Sequence, residues 1–242
     1  MRRLVFIVSV VLISSPVVSS QDGPQTAPRK PSHPVQYSSR LNLSSAAEIE
    51  QRLHASFTEG AEHPVGVNNC VQLLAKCEPA MQDCAERSST SDRDVQAAKS
   101  TIVDCLVLQE LQHATPATTS HVAELKWDAN ILPLLPPELA VNISAELIGK
   151  AKAAAKRGES WHDFDRTATA SEDGQDQVVV QGKGFLERLI IWGRGDFNGD
   201  GIEDLLVQSL DTLTEGTYRN TRLFILTRKK NGGKLSVLRE LL

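Results

Sequence analysis

No cysteine occurs before Cys70, no apolar run beyond the first thirteen residues is long enough to cross a bilayer, and no excess of positive charge marks the chain. Each absence excludes something. Without a thiol near the amino terminus there is no acceptor for lipoprotein-type acylation. A spanning helix takes about 20 apolar residues, so no stretch after the start is expected to cross a membrane as a helix. Lys and Arg number 26 against 30 Asp and Glu, a formal charge of −4. That balance disfavours a nucleic-acid partner, which would be met by a basic face. The cysteines lack Cys-x-x-Cys spacing or a nearby histidine of zinc type, so redox and zinc roles recede.

What is present begins with Met1-Arg2-Arg3, the apolar run Leu4 to Ile13 and a small-residue stretch ending at Ser20. These are the three parts of a secretory signal, predicted as residues 1–20, and the mature chain is expected to be secreted or periplasmic. Its removal takes away Arg2 and Arg3, so 24 basic residues face 30 acidic ones and the charge becomes −6. Residues 21–44 contain Pro24, Pro28, Pro31 and Pro34 among polar residues, a composition expected to stay disordered. Asn42-Leu43-Ser44 and Asn142-Ile143-Ser144 fit the glycosylation pattern, which has meaning only in a eukaryotic secretory route. Basic residues from Arg219 to Arg239 read as a solvated strand face.

Residues 45–115 form a helical module holding all four cysteines. Ser45 followed by Glu48 is a capping box opening a helix with Ile49, Leu53 and Phe57 on one face, stopping near Gly60. A second helix is predicted around Asn68 to Cys77, with Pro79 breaking or restarting it. A long third runs from Asp92 to Gln112. An even cysteine count in an exported chain reads as two disulfides among Cys70, Cys77, Cys84 and Cys105. Cys70 and Cys77, seven apart in one straight helix, would stand about 10.5 Å apart, beyond bridging reach. Cys70–Cys105 with Cys77–Cys84 is the preferred pairing, because Pro79 can fold the chain back; Cys77–Cys105 with Cys70–Cys84 is the alternative.

Residues 116–137 are a Pro-rich linker whose part from Trp127 to Pro137 is apolar and should pack in extended or turning form. The segment 138–165 carries a helix from Ser144 to Arg157, stopped at Gly158, and then Trp161-His162-Asp163-Phe164-Asp165. That cluster gathers histidine and carboxylates, yet shows no nucleophile or metal partner; a short helix with Trp161 and Phe164 inward is the reading adopted. Residues 166–176 are an acidic linker. Residues 177–242 hold strands predicted at 177–181, 185–192, 204–209, 221–227 and 235–238. Short connections favour an antiparallel meander, and Asn231-Gly232 signals a primed hairpin turn. The fold class is therefore α+β: a disulfide-linked helical module, then a small antiparallel sheet that should pack on the 138–165 helix or on a partner.

The stretch between the second and third predicted strands is the most informative. Gly195-Asp196-Phe197-Asn198-Gly199-Asp200-Gly201-Ile202-Glu203-Asp204 places oxygen donors at alternate positions, then a turn glycine, then a fourth donor. Calcium takes about six to eight oxygens, which such a loop supplies by alternating ligands and spacers. An EF-hand would put a bidentate Glu at the twelfth position, which here is Val207, and helices on both sides. The strand, Asp-x-Asn-x-Asp-Gly-x-x-Asp loop, strand order instead resembles the FG-GAP family, the calcium-binding repeats of integrin α propellers and of many secreted bacterial proteins. The likeness is close over residues 195–207 and loose over 177–242. It implies side-chain ligands Asp196, Asn198, Asp200 and Asp204 and a carbonyl ligand at Ile202. Propellers repeat the unit around an axis and this chain has it once, so the propeller is not implied.

The expected role is that of an exported Ca²⁺-binding protein with a binding or structural, non-catalytic function. The partner is an unidentified protein or surface, with a homodimer through exposed sheet edges as one form. An exported metal-dependent hydrolase using the loop or the Trp161–Asp165 cluster is the alternative.

Overall fold

The computed structural model describes residues 33–57, 66–78, 81–87, 91–140 and 143–242. The expected signal, residues 21–32 of the expected linker, Gly60, Pro79 and the glycosylation residue Asn142 lie outside the described residues; the helix opened at Ser45 ends already at His54, short of the stop expected near Gly60 and before Phe57. The architecture is α+β, helices with two disulfides followed by an antiparallel sheet.

The helices form where caps and apolar spacing coincide. Helix α1 (Ala46–His54) starts at Ser45, whose hydroxyl accepts Glu48 N–H, and buries Ile49 and Leu53. Glu48 reaches back to the amide and hydroxyl of Ser44, each at 2.7 Å, so the box closes one residue before the cap. Helix α2 (Cys70–Cys77) is capped by Asn69 and buries Cys70, Leu73, Leu74 and Cys77. Helix α3 (Met81–Arg87) is the restart, and α4 (Asp92–His113) is capped by Ser91. Because α4 lies between the other helices and the sheet, it buries Ala98, Ile102, Val103, Cys105, Leu106, Val107 and Leu111 around more than one face. Cys70–Cys105 ties α2 to α4, and Cys77–Cys84 ties α2 to α3, with Cα separations of 5.2 and 5.3 Å.

After α4 come a 3-10 helix (Pro137–Leu139), α5 (Ala145–Lys156) and α6 (Trp161–Phe164). Among the described residues the sheet has seven strands: β1 (Gln36–Tyr37), β2 (Thr169–Glu172), β3 (Gln177–Gly182), β4 (Phe185–Gly195), β5 (Asp204–Leu213), β6 (Arg219–Thr227) and β7 (Ser236–Glu240). The order β2-β3-β4-β5-β6-β7 is an antiparallel meander, and β1 pairs with β4 through Gln36–Arg194 and Tyr37–Gly193, beyond the point where β3 stops. β1 and β2 lie in stretches expected to be unstructured linker. Both are edge segments with little apolar alternation, and their pairing comes from the neighbouring strand rather than from their own side chains.

Strands β5 and β6 are buried on both faces, which explains the runs Leu205-Leu206-Val207 and Leu223-Phe224-Ile225-Leu226. Leu206, Leu223 and Ile225 pack under the disulfide-linked helices. Leu205, Val207, Phe224 and Leu226 face Val122, Leu125, Trp127, Ile131, Leu132, Leu135, Leu139 and Trp161. The helical module thus covers one sheet face and the 122–168 segment the other. Burial of apolar area at roughly 25 cal/mol per Å² on both sides is what a sheet of this size needs for stability.

The turn at Asn231-Gly232 is not of the primed kind. Only Gly232 has positive φ, +70°, and Gly233 N–H donates to Lys230 O at 3.1 Å, the pattern of a type II turn. Eight residues separate β6 from β7, so the turn does not itself join paired residues and need not match the strand twist.

Candidate metal centre

The 196–204 loop joins β4 to β5 at their paired ends, Gly195 opposite Asp204. Its shape follows from short side chains folding back on their own backbone. Asp196 Oδ1 accepts Asn198 N–H at 3.2 Å and Gly199 N–H at 2.7 Å, and Oδ2 accepts Gly201 N–H at 2.7 Å. Asn198 Oδ1 accepts Asp200 N–H at 3.0 Å, and Asp200 Oδ1 accepts Ile202 N–H at 2.8 Å. This ladder of Asx turns fixes the course of the loop backbone between the two strands. Gly199 and Gly201 both have φ of +80°. Only glycine takes that conformation without steric cost, which is why both positions carry it.

The loop is also held from outside. Thr115 and Asp196 exchange backbone hydrogen bonds at 3.0 and 2.8 Å. Gly201 O accepts from Thr118 N–H, Thr119 N–H and Thr118 Oγ1, at 2.9, 3.0 and 3.0 Å. Glu203 N–H donates to Thr119 O, and its carboxylate accepts Ser120 Oγ. The segment after α4, at the start of the linker expected over residues 116–137, is therefore a strap along the loop. Nothing in the composition of residues 115–120 signals this, since its contacts are mainly backbone.

Of the expected ligands, Asp196 and Asp204 are buried, Ile202 half-buried, and Asn198 and Asp200 exposed. Asp204 is wholly buried; its Oδ2 accepts Phe197 N–H at 3.3 Å, its Oδ1 makes no hydrogen bond of good geometry, and the Thr227 hydroxyl beside the carboxylate and the Phe197 amide favour its charged form. Burial raises its carboxyl to about 6, and the nearby carboxylates of Asp200 and Asp196 push the same way. Asn198 Nδ2 donates to Asp200 Oδ2 at 3.0 Å, so the two exposed donors are turned to each other. Among the described residues no three His, Cys, Asp or Glu side chains stand in the arrangement of a metal cage. What suits the loop to a hard cation is its all-oxygen donor set, the spare lone pairs of the carboxylates, and the weakly supported carboxylate of Asp204.

The second sequence candidate does not assemble. Trp161 is buried, His162 is exposed, and Phe164 packs partly inside. Asp163 accepts the amide and hydroxyl of Ser160 in a capping box and Lys234 Nζ at 3.1 Å. Those bonds hold its carboxyl well below the usual range. It caps a helix.

A third group was missed from sequence. Glu187, Ser209, Asp211 and Arg222 lie buried together on the sheet face that packs on the 122–168 segment. The signal was period-two alternation: Glu187 is in phase with Leu189 and Ile191, and Ser209 and Asp211 with Leu205 and Val207. Ending the strand prediction at Ser209 left Asp211 out.

No protein-family profile, curated protein or solved structure matches the chain. Among the described residues no helix is long and apolar enough to cross a membrane.

Proposed function

We propose that the 196–204 loop binds one Ca²⁺ ion, through the side chains of Asp196, Asn198, Asp200 and Asp204 and the Ile202 carbonyl, and that the ion staples the β4–β5 hairpin in an exported, non-catalytic protein. The observation that carries this is Asp204. A fully buried carboxylate supported by little more than a 3.3 Å amide contact and the nearby Thr227 hydroxyl is costly unless a cation completes it. The likeness of the loop to FG-GAP repeats supports the same reading. Export accords with the amino-terminal signal pattern and with both disulfides, which persist in oxidising compartments. A structural role accords with the donor set, because an all-oxygen, nearly saturated cage leaves no open position of the kind that catalytic metals keep. The hydrolase alternative would need His162 and Asp163 free and facing a cleft, and Asp163 is engaged in capping. The partner is a protein or surface met through this exported domain.

Calorimetric titration of chelator-stripped protein tests the reading. A saturable heat is expected, with Kd of about 10⁻⁴ to 10⁻³ M as in extracellular sites, and it disappears in Asp204→Asn. Absence of heat with the wild type at ~20 mM Ca²⁺, well above that range, removes the proposal.

A further inference from the structure

At the end of the β4–β5 hairpin away from the metal loop, Ser209 Oγ lies 2.7 Å from Glu187 Oε1 and 2.6 Å from Asp211 Oδ1. A hydroxyl owns one proton and donates to one acceptor. The second contact is equally short, so its proton has to come from the carboxyl side. Counting charge gives the same answer. Glu187 is 0% and Asp211 1% exposed, and the cation among them is Arg222, with Nε 3.3 Å from Asp211 Oδ2 and a terminal nitrogen 3.7 Å from Glu187 Oε1. Two carboxylates against one guanidinium would bury an uncompensated negative charge, which desolvation and mutual repulsion oppose. Arg222 is nearer Asp211, so Asp211 keeps the charge and Glu187 the proton. Burial and the charge of Asp211 push the Glu187 carboxyl well above its ordinary range.

Arg222 also holds the opposite layer. Its terminal nitrogens donate to Glu138 O at 2.8 Å, Leu139 O at 2.7 Å and Ala140 O at 3.0 Å, at the end of the 3-10 helix, and its guanidinium stacks 5.1 Å from the centre of the Phe224 ring. We propose that Glu187 is a resident neutral acid, donating through Ser209 to Asp211, and that its proton keeps Arg222 on the 138–140 carbonyls, so that docking of this segment on the sheet is an alkali-sensitive lock. Loss of the proton leaves Ser209 between two anions and draws Arg222 toward Glu187, off the carbonyls.

Other groups face the cluster. Tyr218, before β6, is raised by burial first and then by the charge of Asp211. Glu138 on the 3-10 helix is raised by burial, with Lys152 of α5 lowering it and Glu240 of β7 raising it. A cavity of about 370 Å³ beside Arg222 is also lined by Asp83 and Glu86 of α3 and Lys99 of α4; Lys99 pairs with Glu86 at 3.4 Å. Because Glu187 is raised on folding, its stabilising proton is fully effective below the unfolded value and is lost as pH rises through the folded one.

Infrared spectra of the full chain at pH 7.5, wild type minus Glu187→Gln, test this. The difference is expected to show a protonated-carboxyl stretch, and Gln, a neutral isostere, is expected to flatten the fall of the urea midpoint as pH rises. Above neutral pH, the Leu139 and Ala140 amides should exchange faster in wild type than in Glu187→Gln at the same pH, so that intrinsic rates cancel. A wild-type spectrum with no protonated carboxyl, or identical pH profiles in both proteins, overturns the proposal. Should Glu187→Gln not fold, Ser209→Ala serves: the band is expected to move as its acceptor disappears, and an unmoved band overturns the assignment.

Discussion

Asp204→Asn has opposite effects with and without calcium, and both signs follow from one buried carboxyl. On folding, the Asp204 carboxyl rises from its ordinary 3.8 to about 6 through burial. Ionised at pH 7, it therefore costs the calcium-free fold up to roughly 3 kcal/mol, at about 1.4 kcal/mol per pH unit. Asn removes the charge but replaces one carboxylate oxygen with a donor that needs an acceptor, so a net gain of about 1 to 2 kcal/mol is expected in chelator. Wild type itself should gain stability in chelator as pH falls from 7 through 6 toward 4, because the native state takes up the proton first; Asp204→Asn should not. Calcium reverses the ranking. At millimolar Ca²⁺ and a Kd of about 10⁻⁴ to 10⁻³ M, binding stabilises wild type by roughly 0.4 to 1.4 kcal/mol and the variant by none. Urea melts at pH 5 and 7, each in EGTA and in Ca²⁺, give all four quantities. A variant less stable than wild type in EGTA at pH 7, and still stabilised by calcium, would refute the reasoning.

Three further outcomes follow from geometry. The Cys70–Cys105 bridge spans 35 residues and Cys77–Cys84 spans 7; chain-entropy scaling puts their removal at about 4 and about 2.5 kcal/mol, so Cys70→Ala/Cys105→Ala should lower the denaturant midpoint more than the other pair. Gly199 and Gly201 share a φ of +80°, but a Cβ at Gly201 would meet Thr118 Oγ1 at 2.9 Å while Gly199 has open space. Gly199→Ala should cost about 1 to 2 kcal/mol from backbone conformation alone, with Gly201→Ala costing more and loosening the strap, seen as faster amide exchange at Thr118 and Thr119. Arg222→Met leaves Asp211 buried without its cation and should cost about 3 to 5 kcal/mol in urea melts, a loss that Glu187→Gln does not share.

Much of this protein was legible in local chemistry. Ser45, Asn69, Ser91 and Ser144 mark helix starts because a short side chain accepts an orphan amide wherever the chain turns helical. Helix rise excluded a Cys70–Cys77 bridge and a fold-back at Pro79 favoured the observed pairing over the one alternative left, while β3 to β6 followed from apolar runs bounded by Gly, Asn and Asp. The alternating donors of residues 196–204 fold on their own backbone, so their pattern is local as well.

What only the tertiary structure decided is what depends on a distant neighbour. β1 and β2 pair through backbone groups that every residue carries, so their side chains held no sign of it. The 115–120 strap is fixed by amides and carbonyls meeting Asp196, Gly201 and Glu203, more than 75 residues on by sequence number. The burial of Glu187 and Asp211 was written as a period-two phase, but their meeting with Arg222 and the 138–140 carbonyls required three strands and a 3-10 helix in register. Sequence determines which groups a chain can bury; only the packed fold determines which charge ends beside which partner, because electrostatic compensation depends on separations of a few ångströms between residues far apart along the chain.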